Sequence, residues 1–308
     1  MFPPATPPAS PPALPPALPP SRRWADCSAR TFAQLAQSGE LAKTVAVLPV
    51  AAIEQHGPHL PLSVDTTLVE GVVDACIPLL PPNLPVLFLP TQAVGKSNEH
   101  ARYAGTLTLS ADTLQRLWME LGACVAAAGV KKLLLLNSHG GQVTVMETVA
   151  RELRVAHDLL VVSTNWFSLP MAPEVHALFT PQEHRFGIHA GDVETSMMLA
   201  LQPDAVDMAQ AQDFASTMAT RAAQYPLLGN GAAKVAWQMQ DLNPWGAAGN
   251  ATLATATKGH AVIQDAAARL ADLLQEVHRL PLDTLQPATV WSSGAAALAA
   301  PLPEVPPA

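Results

Sequence analysis

Four short apolar runs, TVAVLPVAA at 44–52, PVLFLPTQ at 85–92, KKLLLLN at 131–137 and DLLVVSTNW at 158–166, alternate with stretches of helical periodicity. Each run is apolar on both faces, which suits a strand covered from two sides better than a half-exposed one. Ser110 is placed to cap a helix whose stripe is Leu114, Leu117, Trp118, Leu121 and Val125. A later stretch gathers Val262, Ile263, Ala266, Leu270, Leu273, Leu274 and Val277 on one face, and Pro281 stops it. Strand, helix, strand, helix with buried strands predicts an α/β fold, a three-layer α/β/α sandwich with a mostly parallel sheet and right-handed crossovers.

Composition agrees with a large packed body: 49% of the 308 residues are hydrophobic and only 14% are charged. A net charge of −8 gives no attraction for phosphate backbones or anionic lipid, which argues against nucleic acid and membrane as partners. No apolar run reaches the roughly 18 residues of a membrane span, and the N-terminus carries no signal-peptide pattern, so a cytoplasmic location is expected. Cys27, Cys76 and Cys124 form no C-x-x-C pair and read as reduced, largely buried thiols. Proline occupies ten of the first twenty positions. Proline fixes φ and removes an amide donor, so residues 1–20 read as a disordered tail, and the Ala/Pro-rich stretch 286–308 as a second, flexible one. One domain is expected between them, at 21–285.

The residues with metal-binding chemistry fall just past the expected strands, where α/β folds place their active sites. The first strand runs into IEQHGPHLPLSVD, with Glu54, His56, His59 and Asp65. The third runs into NSHGGQ, with His139, and HAGDVETS brings His189, Asp192 and Glu194 at the start of a helix. Carboxylates mixed with imidazoles suit Zn²⁺, Mn²⁺ or Fe²⁺, whereas thiolates would have pointed to a structural zinc. Each piece also has a plainer reading. Asp65 could cap the helix that follows it, Glu194 could complement a helix N-terminus, and Gly140 and Gly141 could simply make a tight turn. The coincidence of three such loops favours a site.

Taken together, these segments resemble one family. EQHGPHLPLSVD resembles the creatininase-family E-x-H-G-x-H-L-P-x-x-x-D signature, and NSHGGQ its N-x-H-G-G-N loop. GKSNEHARYAGTLTLS is similar to G-x-S-x-E-H…G-T, HAGDVETS to H-A-G-x-x-E-T-S, and GAAGNATLATATKG to the family's G-x-x-G-x-x-x-x-A-T-x-x-K-G segment. The motifs keep the family's order over residues 40–280.

The resemblance implies a divalent-metal-dependent amidohydrolase that cleaves a C–N amide bond with a metal-bridged hydroxide. Two divalent ions are implied, Zn²⁺ first and Mn²⁺ or Fe²⁺ as alternatives. Asp65 would bridge them, with Glu54 and His139 on one and His56 and Glu194 on the other. His189 would be the catalytic proton shuttle to the leaving nitrogen. Ser97, His100 and Trp166 are expected to bind substrate, and His59, like His100, to line the pocket or support the ligands. The partner is a small-molecule amide substrate, and a homo-oligomer, a hexamer, is implied. At the third-strand loop creatininases resemble G-H-Y-E-N where this chain has SHGGQ. That points away from creatinine and toward the family's formamide hydrolases and small-peptide peptidases. A lactonase on the same ligands, or a catalytically silent binding protein, are the competing readings.

Overall fold

The computed structural model describes residues 18–229 and 233–287. The tails expected at 1–20 and 286–308 lie outside the described residues, apart from 18–20 and 286–287. Strands β1 (Val45–Val50), β2 (Val86–Phe88), β3 (Lys132–Asn137) and β4 (Leu160–Asn165) form one parallel sheet in the order β2-β1-β3-β4. Its register sets Val47 beside Phe88 on one side and Leu134 on the other.

Six helices cover the two faces: α1 (Ala29–Gln37), α2 (Val64–Cys76), α3 (Ala111–Ala127), α4 (Val143–His157), α5 (Asp192–Leu201) and α6 (Ala256–Arg279). Alternate strand residues go to opposite faces. Val45, Val47, Val86, Phe88, Leu134 and Leu136 pack with α2, α5 and α6. Ala46, Leu48, Val50, Leu133 and Leu135 pack with α1, α3 and α4. Burying a leucine fully contributes roughly 1.5–3 kcal/mol, so the run Leu133–Leu136, apolar on both faces, ties both layers to the central strand. This is the three-layer α/β/α sandwich expected. Ser110 caps α3 by accepting from the Thr113 amide, and Thr255 caps α6 by accepting from Lys258.

Three details differ from the sequence expectations. Strand β4 is buried only at Leu160, the rest being half-buried, because it has a neighbour on one side only. Strand β2 is an edge as well, but Arg22 and Arg23 run along it, the Arg22 carbonyl accepting from the Phe88 amide, and it stays buried. A two-stranded antiparallel ribbon, β5 (Asp213–Phe214) with β6 (Gly249–Asn250), was not anticipated. Of the three free thiols only Cys76 is buried. Cys27 is half-buried and Cys124 exposed, so the expectation of largely buried cysteines is corrected. No helix among the described residues is long and apolar enough to cross a membrane.

Two contacts fix the helix that carries Glu194. A Cβ at Gly259 would overlap the Ser196 carbonyl, so α5 and α6 cross closely only because that position is glycine. Asp192, buried at the start of α5, pairs with Lys258 of α6 at 2.6 Å. At the opposite end, buried Lys132 donates to the carbonyls of Val277, His278 and Leu280 and satisfies the C-terminus of α6.

Candidate metal centre

The first two of the loops named above leave the carboxyl ends of β1 and β3, and HAGDVETS leads into α5 after two short helices. The chain after β1 carries Glu54, His56 and His59 and enters α2, whose second residue is Asp65. Asp65 therefore lies within the first turn and is not the cap, a place held by Ser63. Asn137, ending β3, pins the next loop: its Oδ1 accepts from the His139 amide at 3.1 Å and from Gln142 Nε2 at 2.9 Å. Gln142 also donates to the Ala51 carbonyl at 3.1 Å, tying this loop to the end of β1. His189 sits just before α5, held by paired backbone hydrogen bonds with Ala248, and Glu194 lies in that helix's first turn.

These residues converge. Glu54, Asp65 and His139 bring one ligand atom each within 4.8 Å of one another, and so do His56, Asp65 and Glu194. Asp65 belongs to both groups. Its Oδ1 is 3.6 Å from His56 Nε2 and its Oδ2 is 3.4 Å from His139 Nδ1. His139 Nδ1 is 3.2 Å from Glu54 Oε1, and His56 Nε2 is 3.9 Å from Glu194 Oε2. Glu54, His56, Asp65 and His139 are all buried.

The hydrogen-bond network assigns the imidazole tautomers. His56 Nδ1 donates to the Glu54 carbonyl at 3.0 Å, which turns Nε2 toward Asp65 and Glu194. His139 Nε2 donates to the Lys96 carbonyl at 3.0 Å, which turns Nδ1 toward Glu54 and Asp65. In its neutral form each ring would thus present a lone pair to carboxylates, acceptor facing acceptor. Glu54 Oε2, His56 Nε2 and Asp65 Oδ2 are buried without a hydrogen-bond partner. Buried polar atoms are rarely left so, and a cation is the group that satisfies nitrogen and carboxylate donors together. By that test the residues fit a pair of divalent ions.

The electrostatics show what fills the role without metal. Burial alone would push His56 down, but Asp65, Glu194 and Glu54 overrule it and hold it up at about 9. His139 is likewise lifted well above its ordinary value against burial, by Glu54, Asp65 and Glu99. Burial would raise Asp65, yet the His139 and His56 imidazoles beside it keep it at about 2. Burial, eased by His56, brings Glu194 up to about 7. At pH 7 the metal-free protein therefore keeps protons on His56 and His139. A cation must displace them, so its affinity should rise with pH up to about 9. Calorimetry at pH 7 in two buffers of different ionisation enthalpy should read release of about one proton per cation. A binding enthalpy independent of buffer would show that the protons are not there.

The other expected residues lie around this centre. His189 donates from Nε2 to the Gln55 carbonyl at 2.8 Å and points Nδ1 at Glu54 Oε1, 3.8 Å away. Its ring packs, tilted, against those of His56 and His100 with centroids 4.1 and 4.4 Å away, and burial beside these two imidazoles pushes it well below its ordinary value. Ser97, His100 and Trp166 are all buried, and the polar atoms of each have protein partners. Ser97 Oγ is 3.4 Å from His139 Nε2, and Trp166 Nε1 donates to Ser138 Oγ at 2.9 Å. His100 accepts at Nδ1 from Gln55 Nε2 at 2.7 Å and turns Nε2 toward Glu54 Oε1 at 3.5 Å. His59 Nε2 meets Thr195 Oγ1 at 2.9 Å, next to Glu194, and burial lowers it to about 4. Two residues were missed. Gln55 anchors His100, the His189 ring and, through Nε2, the Gly246 carbonyl at 2.9 Å. Glu99 reaches His139 Nε2 at 3.1 Å. Both sit inside recognisable motifs, but nothing in their spacing marks them.

A family model described as creatinine amidohydrolase matches residues 28–274. The mycofactocin precursor peptide peptidase of Mycobacterium ulcerans is 30% identical over 234 residues, 73% of this chain and 84% of that protein. The creatinine amidohydrolase of Pseudomonas putida is 32% identical over 181 residues, 55% of this chain and 68% of that protein. A crystal structure of creatinine amidohydrolase has the same fold, with a TM-score of 0.68 at 23% identity over 86% of this chain and 99% of that one.

Proposed function

The chain belongs to the creatininase (creatinine amidohydrolase) family of hydrolases, and on that premise we propose that it hydrolyses an amide C–N bond at a centre of two divalent cations. Asp65 is the shared ligand, Glu54 and His139 complete one position, and His56 and Glu194 the other. The observation that carries this reading is the pair of carboxylate–imidazole groups meeting at Asp65, with Glu54 Oε2, His56 Nε2 and Asp65 Oδ2 buried without partners. The donor set, mixed imidazole and carboxylate, favours Zn²⁺, with Mn²⁺ or Fe²⁺ as alternatives.

When bound, such a pair of ions supplies an acidified water and polarises the amide carbonyl. The chain's own residues do the rest. His189 is the proton carrier: its Nε2–H is committed to the Gln55 carbonyl, and Nδ1 is free to take a proton and pass it to the leaving nitrogen. That delivery is needed because an unprotonated amide nitrogen leaves very poorly. His100 steadies Glu54, and Ser97 lies against His139. Glu194 and Glu99 are the partly exposed members of the site, with side-chain exposures of 21% and 12%, so substrate approaches along their edge.

The amide is a formamide, a cyclic amide or a short peptide. The similarity to a peptide peptidase across 84% of that protein supports the last. Purified protein stripped by chelator, then reloaded with Zn²⁺ or Mn²⁺, should be assayed on all three classes and on lactones. Amide turnover that vanishes on stripping and returns on reloading is the expected result. Turnover untouched by stripping, or confined to lactones, would overturn the proposal.

A further inference from the structure

Glu99 lies on a short 3₁₀ turn, Asn98–His100, in the loop after β2, and neither the motif spacing nor the reading above gives it a task. Its Oε1 is 3.1 Å from His139 Nε2, the nitrogen on the far side of the ring from Glu54 and Asp65. The Lys96 carbonyl meets the same nitrogen at 3.0 Å. His139 is therefore held between carboxylates on both sides, with its hydrogen-bearing nitrogen toward Glu99.

Gly141 gives a second observation, independent of that distance. A Cβ at Gly141 would overlap the Glu99 carboxylate and crowd His139 Nε2. Gly141 is not among the glycines with positive φ, so its backbone conformation does not require glycine. What requires it is the space taken by the Glu99 carboxylate together with the edge of the His139 ring beside it. By contrast a Cβ at the neighbouring Gly140 meets nothing within 4 Å. Of the two glycines following His139, only the second is shaped around a carboxylate.

We propose that Glu99 is a positioning residue for the centre: beside the Lys96 carbonyl, which takes the Nε2–H, its carboxylate fixes the orientation of His139 so that Nδ1 faces Glu54 and Asp65, and Gly141 is the notch that admits it. A carboxylate on the second nitrogen of a ligating imidazole also makes the first a better donor. This rests on the proposed two-cation reading, but its test reads binding directly.

The measurement is cation affinity and stoichiometry, by competition against a chromophoric chelator, on the metal-free forms of wild type, Glu99→Gln and Gly141→Ala. Glu99→Gln should bind as many cations as wild type at saturation, with affinity at one position reduced about 10- to 100-fold. Gly141→Ala should lose at least as much, because its methyl group expels the carboxylate and crowds the His139 ring. The double variant should be no worse than Gly141→Ala alone, since both remove one interaction. The melting temperature of the metal-free protein should hardly change for Glu99→Gln, whereas a merely structural role would lower it and spare affinity. Wild-type affinity in Glu99→Gln, or additive losses in the double variant, would overturn the proposal. So would a cation position in Glu99→Gln that stays empty at saturation, since Glu99 would then be a ligand itself. A wild-type protein that binds no cation would instead sink the two-cation reading.

Discussion

Asp65→Ala should leave a folded protein that holds almost no divalent cation and hydrolyses no amide. Asp65 is the one side chain common to the two ligand groups, with one oxygen toward His56 and the other toward His139. Removing it takes a donor from both positions at once, whereas removing Glu194 or Glu54 touches one donor group more than the other. Altering residues that merely support a ligand typically reduces affinity or activity about 10- to 100-fold. A shared ligand should exceed that, so kcat/KM is expected to fall by more than about 10²-fold. Elemental analysis on protein purified without chelator provides the direct reading: close to two ions per chain in wild type and few in the variant. Circular dichroism should be unchanged, because the sheet and its two helical layers do not depend on this carboxylate. An Asp65→Ala protein that keeps both ions would show that the bridge assignment is wrong.

The fold was more legible than the site. The stretches 45–52 and 133–136 are apolar throughout because β1 and β3 lie at the centre of a parallel sheet, where a strand is covered on both faces. The run at 158–166 looks the same in sequence, yet β4 is half-buried, because composition does not say which strand ends up at an edge. The β5–β6 ribbon escaped notice for another reason. Two residues on each side are too short to carry a period, and residues 213–214 and 249–250 are joined only by tertiary structure.

Within the site, what could be read was the kind of residue, and what could not was the direction of each side chain. Histidines and acids after strands announce donor chemistry, but the sequence does not tell which imidazole nitrogen faces inward. That is decided by distant partners: the Glu54 carbonyl for His56, the Lys96 carbonyl and Glu99 for His139, and the Gln55 carbonyl for His189. The three residues expected to touch substrate illustrate the limit. Ser97, His100 and Trp166 lie at or near the site, buried against His139, Glu54 and Ser138, contacts that no spacing in the sequence announces. Gly141 reads as a turn residue in sequence, and only the positions of Glu99 and the His139 ring give its small size a purpose.

The remaining large effect separates two histidines that look alike in sequence. His189→Ala should keep both cations and lose about 10²- to 10⁴-fold in rate, the usual contribution of a general acid–base group. Burial beside His56 and His100 keeps His189 well below its ordinary pKa, so at pH 7 it is neutral and starts as an acceptor. With Nε2 bonded to the Gln55 carbonyl, the proton it takes must sit on Nδ1, the atom that faces Glu54 and the reacting groups. His139→Ala should behave oppositely and lose cation and activity together. Its Nδ1 stands between Glu54 and Asp65, and neither Gly140 nor Gly141 offers a replacement donor. Metal content and rate measured on the same preparations distinguish the two. The geometry also sets the condition for failure, because His189 joins Glu54 and His56 in a third group of potential ligands. If His189→Ala empties a cation position, His189 is a ligand and the place given to Glu194 must be reassigned. If it turns over the true substrate at the wild-type rate, the proton passes by another route.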